Sequence, residues 1–207
     1  MALGANAILT WDVAAAFLKP PYADVPVVEA IIEGTSQLFN KMVGCTLRKT
    51  TYTAIKLDGP GTSRLYLPAW PVVSPLGAII EDGVTLVLDT DFYADLPMGF
   101  LTKATYANTL YSEMYGGARL WTNLTQGITV TFTAGYDITA TLPALPTMPA
   151  DIKLACLKQC AYEYKKYMSK SWGQTSSSLG GQSTSFSEDD VLPFVGEVLR
   201  KYRRITL

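Results

Sequence analysis

Histidine is absent from all 207 residues. That removes the Ser-His-Asp and Cys-His nucleophile systems, histidine metal sites, and the side chain best placed for proton transfer near neutral pH. Cysteine is scarce: Cys45, Cys156 and Cys160 form neither an even framework nor a CxxC pair, and they read as small buried hydrophobes in a reducing compartment. Charge is thin as well, 17% of residues against roughly 25% in ordinary soluble domains. The formal net charge of −1 gives no overall attraction to nucleic acid or acidic membranes. No apolar run approaches the roughly 18 residues of a spanning helix, and Met1–Leu9 carries no basic leader pattern. The expectation is a protein made and used in a cytosol-like space, with no cofactor and no catalytic activity.

What is present suits an assembly. The 48% hydrophobic share is ordinary, so scarce charge leaves little polar surface to cover a monomer, and a subunit that hides its flanks against neighbours fits better. Thr10 is expected to cap a short helix through Phe17, stopped at Pro20-Pro21. A second helix begins near Asp24 with Pro26 in its first turn, carries Val28, Ile31, Ile32, Leu38, Phe39 and Met42 on one stripe, and ends at Gly44. Gly34 marks a place for it to bend or break.

From Thr46 to about Ile138 the pattern is that of strands. Residues 46–57, the turn at Asp58-Gly59-Pro60-Gly61 and residues 63–67 predict a hairpin. Further strands are expected at 76–81, at 84–88 after the Asp82-Gly83 turn, at 91–95 and at 128–133. Residues 104–126 read as a long loop or loosely paired extension.

Helix returns at Pro149 and runs to about Ser171, with Leu154, Leu157, Ala161, Tyr164 and Met168 as an apolar seam and Lys153, Lys158, Lys165, Lys166 and Lys170 off it. Residues 173–187 form a Ser/Gly/Gln/Thr linker, and a last helix spans about Asp190 to Arg203 with acids at its start and cations at its end. The layout predicts an α+β fold. Residues 1–45 and 148–207 make a small helix bundle with a C-terminal docking helix, and 46–147 make an inserted antiparallel β lobe.

This order of signals resembles the head-tail connector, or head-completion adaptor, family of tailed bacteriophages. The carrying pieces are the early helix ending near Gly44, 58–76 (DGPGTSRLYLPAWPVVSPL), the Asp82-Gly83 hairpin, 127–137 (GITVTFTAGYD), 149–164 (PADIKLACLKQCAYEY) and the terminal 202–204 (YRR). Each is weak alone; their collinear order carries the likeness, and 104–126 and 173–187 match poorly. The resemblance implies a helix bundle with a β insertion, assembled into a ring, often a dodecamer, in the virion neck. Such a ring docks on the portal protein and receives a tail or stopper protein, while DNA passes through its lumen without sequence-specific binding.

Candidate sites carry two readings each. Arg200, Lys201, Tyr202, Arg203 and Arg204 can dock into acidic pockets of a portal, the Arg forks gripping carboxylates, or they can be a solvated helix end. Glu81, Asp82, Asp89, Asp91 and Asp95, with no Lys or Arg between Glu81 and Leu101, can face the lumen and keep DNA from adhering, or they can be turn and strand-edge acids. Their use as a carboxylate metal site for hydrolysis would need convergence that the spacing does not demand. In that rival reading Asp89→Asn or Asp91→Asn abolishes turnover. Cys156 and Cys160 read as core packing, Gly59 and Gly61 as turn glycines. Tyr106, Tyr111, Tyr115 and Trp121 are either interface anchors or internal filling. A second rival is a β-rich tail or capsid accessory protein that assembles without a portal.

Overall fold

The computed structural model describes residues 3–104, 119–139, 146–170, 176–179, 182–185 and 191–203. The chain divides into two compact units, Met1–Leu47 with Met148–Leu207, and Arg48–Thr147. Helices and one short antiparallel strand pair are described in the first and antiparallel strands in the second, so the α+β class is correct.

Four α-helices are described in the first unit: α1 (Trp11–Leu18), α2 (Val25–Val43), α3 (Ala150–Ser169) and α4 (Pro193–Tyr202). Thr10 does precede α1, but its hydroxyl makes no capping bond; its carbonyl accepts the Ala14 amide instead. Lys19 in the left-handed region closes the helix ahead of the two prolines. Helix α2 runs unbroken through Gly34 and stops at Gly44, whose φ of 87° is open to glycine at little cost. Its buried stripe is Val28, Ile32, Thr35, Ser36, Phe39 and Val43. The two polar members escaped the sequence pattern. Ser36 is satisfied locally, donating to the Ile32 carbonyl at 2.7 Å and accepting the Ile8 amide at 3.0 Å, which fastens the N-terminal segment to α2.

Helix α3 corrects the expected seam. The buried residues are Ile152, Ala155, Cys156, Gln159 and Cys160, whereas Leu154 and Met168 are exposed. The cause is Gln159, a polar side chain at the centre of the buried face. Its Oε1 accepts the Leu192 amide at 3.1 Å just ahead of α4, and its Nε2 donates to Glu163 at 3.1 Å. A hydrophobicity count skips that position and drifts onto the outer face. The stretch 173–187, read as a linker, contains an antiparallel strand pair, β9 (Ser176–Leu179) and β10 (Gln182–Ser185).

In the second unit a five-stranded sheet has β1 (Thr50–Leu57) beside β8 (Ile128–Ala134), then β4 (Ile79–Glu81) and β5 (Val84–Leu86), with β3 (Val72–Val73) also on β8. Strand β8 alternates strictly, Ile128, Val130, Phe132 and Ala134 inward and threonines outward. A second sheet orders β2 (Arg64–Tyr66), β7 (Phe100–Lys103) and β6 (Phe92–Asp95). The expected hairpin of 46–57 with 63–67 is therefore absent: β1 pairs with β8 and β2 with β7. The Asp58–Gly61 turn instead packs on residues 122–126. The Gly59 and Gly61 amides donate to the Leu124 and Thr122 carbonyls, and Asp58 accepts the Gln126 amide. The Asp82-Gly83 hairpin of β4 and β5 forms as expected.

Candidate functional site

Helix α4 starts at Pro193, whose missing amide costs nothing in a first turn. Val195, Val198 and Leu199 recur at helical spacing and are buried, which leaves Arg200, Lys201 and Arg203 exposed at the C-terminal end. Positive charge there complements the helix dipole. Tyr202 differs from its charged neighbours. Its hydroxyl donates to both Asp151 oxygens, at 2.8 and 3.0 Å, and so ties the end of α4 to the first turn of α3. The structure thus presents three cations on a clamped helix end; Arg204 lies outside the described residues.

The acids of the β unit separate by role. Glu81 pairs with Lys103, whose side chain is only 4% exposed, and its second oxygen accepts the Thr122 amide at 2.7 Å. The Lys103 ammonium also lies 4.4 Å from the centre of the Trp121 ring. Asp91 accepts the Val87 amide at 2.9 Å and meets Arg119 at 3.4 Å. The Val87 amide, with the Arg119 guanidinium, holds its carboxyl below the usual carboxylate range. Asp95 accepts the Met98 amide. Asp82 and Asp89 sit at turns with positive φ, exposed. Three of the five acids thus have structural partners, two of them cations from beyond the segment in which no Lys or Arg was found.

Glu81, Asp82, Val84, Leu86, Lys103, Arg119 and Leu120 line a cleft of about 420 Å³. Among the described residues no three His, Cys, Asp or Glu side chains come together as a metal site. Cys156 and Cys160 are buried in the helical unit, and the hydrogen bond to Cys160, with burial, pushes the Cys156 thiol well up. Trp121 is internal filling: it is 2% exposed, donates its ring N–H to the Ser63 carbonyl at 3.1 Å and meets Phe92. Tyr106, Tyr111 and Tyr115 lie outside the described residues.

Sequence reasoning missed two surfaces. On the second sheet Leu65, Leu101 and Phe92 face inward, while Tyr66, Phe100 and Tyr93 share the outer face, with Arg64 over the Phe100 ring at 5.2 Å. Period-two alternation over 64–66 and 92–95 was the available signal, lost because the partner strand β7 was not recognised. On the helical unit Val13, Phe17, Leu154 and Phe194 are each at least 40% exposed.

A family model described as "Head completion protein" matches residues 12–205. No curated protein sequence matches the chain. Among solved structures that match, one described as "Neck of empty GTA particle computed with C6 symmetry" has a chain 15% identical, at a TM-score of 0.53, covering 100% of this chain and 94% of that one. At that identity the likeness is one of fold.

Proposed function

This chain belongs to the head completion protein family, and from that premise we propose that its copies form a ring that docks on the portal and links it to a tail or stopper protein. Its role is that of a structural connector in the neck of a phage-like virion. The observation that carries the reading is the extent of the family match, which runs through both compact units from α1 to the end of α4. Similarity of fold to a chain from a neck with sixfold symmetry supports a ring. A count of twelve subunits rests on the family resemblance alone.

Within that reading the exposed Arg200, Lys201 and Arg203 are the docking cations, and Arg204 extends the same run in sequence. Of the acids, Asp82 and Asp89 are the two suited to face a DNA channel, because Glu81, Asp91 and Asp95 hold Lys103, Arg119 and turn amides. The connector is read as non-catalytic: Glu81, Asp91 and Asp95 are committed to those structural contacts, which leaves Asp82 and Asp89 of the five acids.

The test is assembly. Native mass measurement of the purified chain alone and with portal should give a ring-sized particle, and particles lacking the chain should accumulate as heads without tails. Complete, infectious particles made without it would remove the connector role. Turnover of a phosphodiester or glycoside that disappears in Asp89→Asn would restore the hydrolase reading.

A further inference from the structure

The chain contains two Asp-Gly pairs, Asp58-Gly59 and Asp82-Gly83, and no Asn-Gly. Such a pair can react within itself. No side chain shields a glycine amide, so its nitrogen can attack the side-chain carboxyl of the residue before it and close a five-membered ring. In a folded protein two conditions govern the reaction. Both groups must be free of other partners, and the peptide between them must be able to turn out of its native conformation by a local opening.

The two pairs differ on both counts. At the first, the Gly59 amide donates to the Leu124 carbonyl at 2.9 Å, and Asp58 Oδ1 accepts the Gln126 amide at 2.8 Å. A Cβ at Gly59 would lie 2.0 Å from the Thr122 carbonyl oxygen, so this backbone has little room to rotate. At the second, Asp82 and Gly83 are both exposed, and a Cβ at Gly83 would meet nothing within 4 Å. Among the described residues the Asp82 carboxylate holds no hydrogen bond or ion pair, and the Gly83 amide donates to nothing. The Asp82 amide does donate to the Gly127 carbonyl at 2.9 Å, but that bond precedes the reacting atoms in the chain. Beyond the turn, β5 pairs only with β4, at the edge of its sheet.

We propose that Asp82 is a site of spontaneous isomerisation to isoaspartate, from which the packing of its turn protects Asp58. The Gly83 nitrogen bonds to Asp82 Cγ, and the carboxyl hydroxyl and the amide proton leave together as water, giving a cyclic imide. Water then adds to the former main-chain carbonyl carbon of Asp82 and breaks its bond to the Gly83 nitrogen. Gly83 is left joined through the side chain, and the main-chain carbonyl becomes a free carboxylate. The product carries one extra methylene in the backbone of a two-residue turn. Strands β4 and β5 then lose the register of Glu81 with Val84, Ile80 with Thr85 and Ile79 with Leu86. Glu81, the counter-charge of Lys103, is the adjoining residue, so the change also reaches that buried pair. The inference is independent of the ring reading.

The full chain, warmed for increasing times in mildly acidic buffer and then digested, gives isoaspartate at each position by electron-transfer fragmentation of its peptides. In the folded chain isoaspartate should accumulate at Asp82 at least about tenfold faster than at Asp58, the ratio expected from the two hydrogen bonds that hold the first pair. In denaturant, where those bonds are gone, the two rates should become comparable. Asp82→Glu, whose longer side chain cannot close the five-membered ring, should abolish the product at that position and leave Asp58 unchanged. Equal rates in the folded chain, or a faster Asp58, would overturn the proposal. Reaction at both positions in denaturant and at neither in the folded chain would overturn it too, because the Asp82 turn would then be held as firmly as the first. Isoaspartate at neither position even in denaturant would remove the chemistry itself.

Discussion

At the scale of single residues the strongest commitment is Lys103. It is buried, and Glu81 is its counter-charge. Glu81→Gln removes that charge and leaves an ammonium in the interior, at a cost of about 3–5 kcal/mol. Urea denaturation should register the loss, and the double variant Glu81→Gln with Lys103→Met should recover most of it. An unchanged midpoint in the single variant would mean that Lys103 reaches solvent. Tyr164 offers a smaller, pH-dependent case. Donation to the Asp24 carboxylate raises its hydroxyl from an ordinary 10.0 to about 12. A raised folded pKa means the contribution is complete below the unfolded value and is lost as pH climbs through the folded one. Tyr164→Phe should therefore cost about 1 kcal/mol at neutral pH, and wild type and variant should converge as thermal melts are taken from pH 10.0 to about 12. A gap that stays constant across that window would separate the loss from the hydroxyl proton.

Elements respond to glycine in opposite ways. A Cβ added at Gly34, in the middle of α2, meets nothing within 4 Å, so Gly34→Ala should raise the stability of the isolated chain by about 1 kcal/mol. At Gly59 the same atom would lie 2.0 Å from the Thr122 carbonyl oxygen, and Gly59→Ala should cost about 1–3 kcal/mol as the turn separates from residues 122–126. Chemical denaturation of both reads the contrast, and equal effects would refute the packing of the turn. Only one of these glycines was legible for what it does. The sequence pattern placed α1, α2, the Asp82-Gly83 hairpin, β8 and the Pro-started helices within a few residues, because caps, prolines and alternation are local signals. The failures were non-local. Nothing in residues 46–67 announces that β1 and β2 belong to different sheets, and Gln159 hides the buried face of α3 because its partner is the distant Leu192 amide. The candidate sites divide in the same way. The cations of α4 were readable as a run, but the bond from Tyr202 to Asp151 and the pairing of Glu81 with Lys103 join residues far apart in sequence.

For the whole molecule, the decisive quantity is whether the end of α4 contributes to the portal docking proposed above. Truncating the chain before residue 193 is a poor probe, because it also removes Val195, Val198 and Leu199 from the core of the helical unit, and any loss of binding could reflect loss of the fold. Reversing Arg200, Lys201 and Arg203 to Glu keeps those three and the clamp from Tyr202 to Asp151, and the opposing helix dipole costs only about 0.3–1 kcal/mol per position. If these cations meet portal carboxylates, the triple variant should still assemble and melt cooperatively, while its affinity for portal falls at least about a hundredfold, as expected when paired charges become like charges. Salt supplies an independent check. Screening shortens the reach of exposed charges from about 10 Å at 0.1 M to about 3 Å at 1 M, so wild-type binding should weaken steeply over that range and the residual binding of the variant should not. Sedimentation of chain with portal at both ionic strengths reads both effects. Wild-type affinity indifferent to salt and untouched by charge reversal would move portal recognition elsewhere, to the outer aromatic face of Tyr66, Tyr93 and Phe100 as the next surface to test.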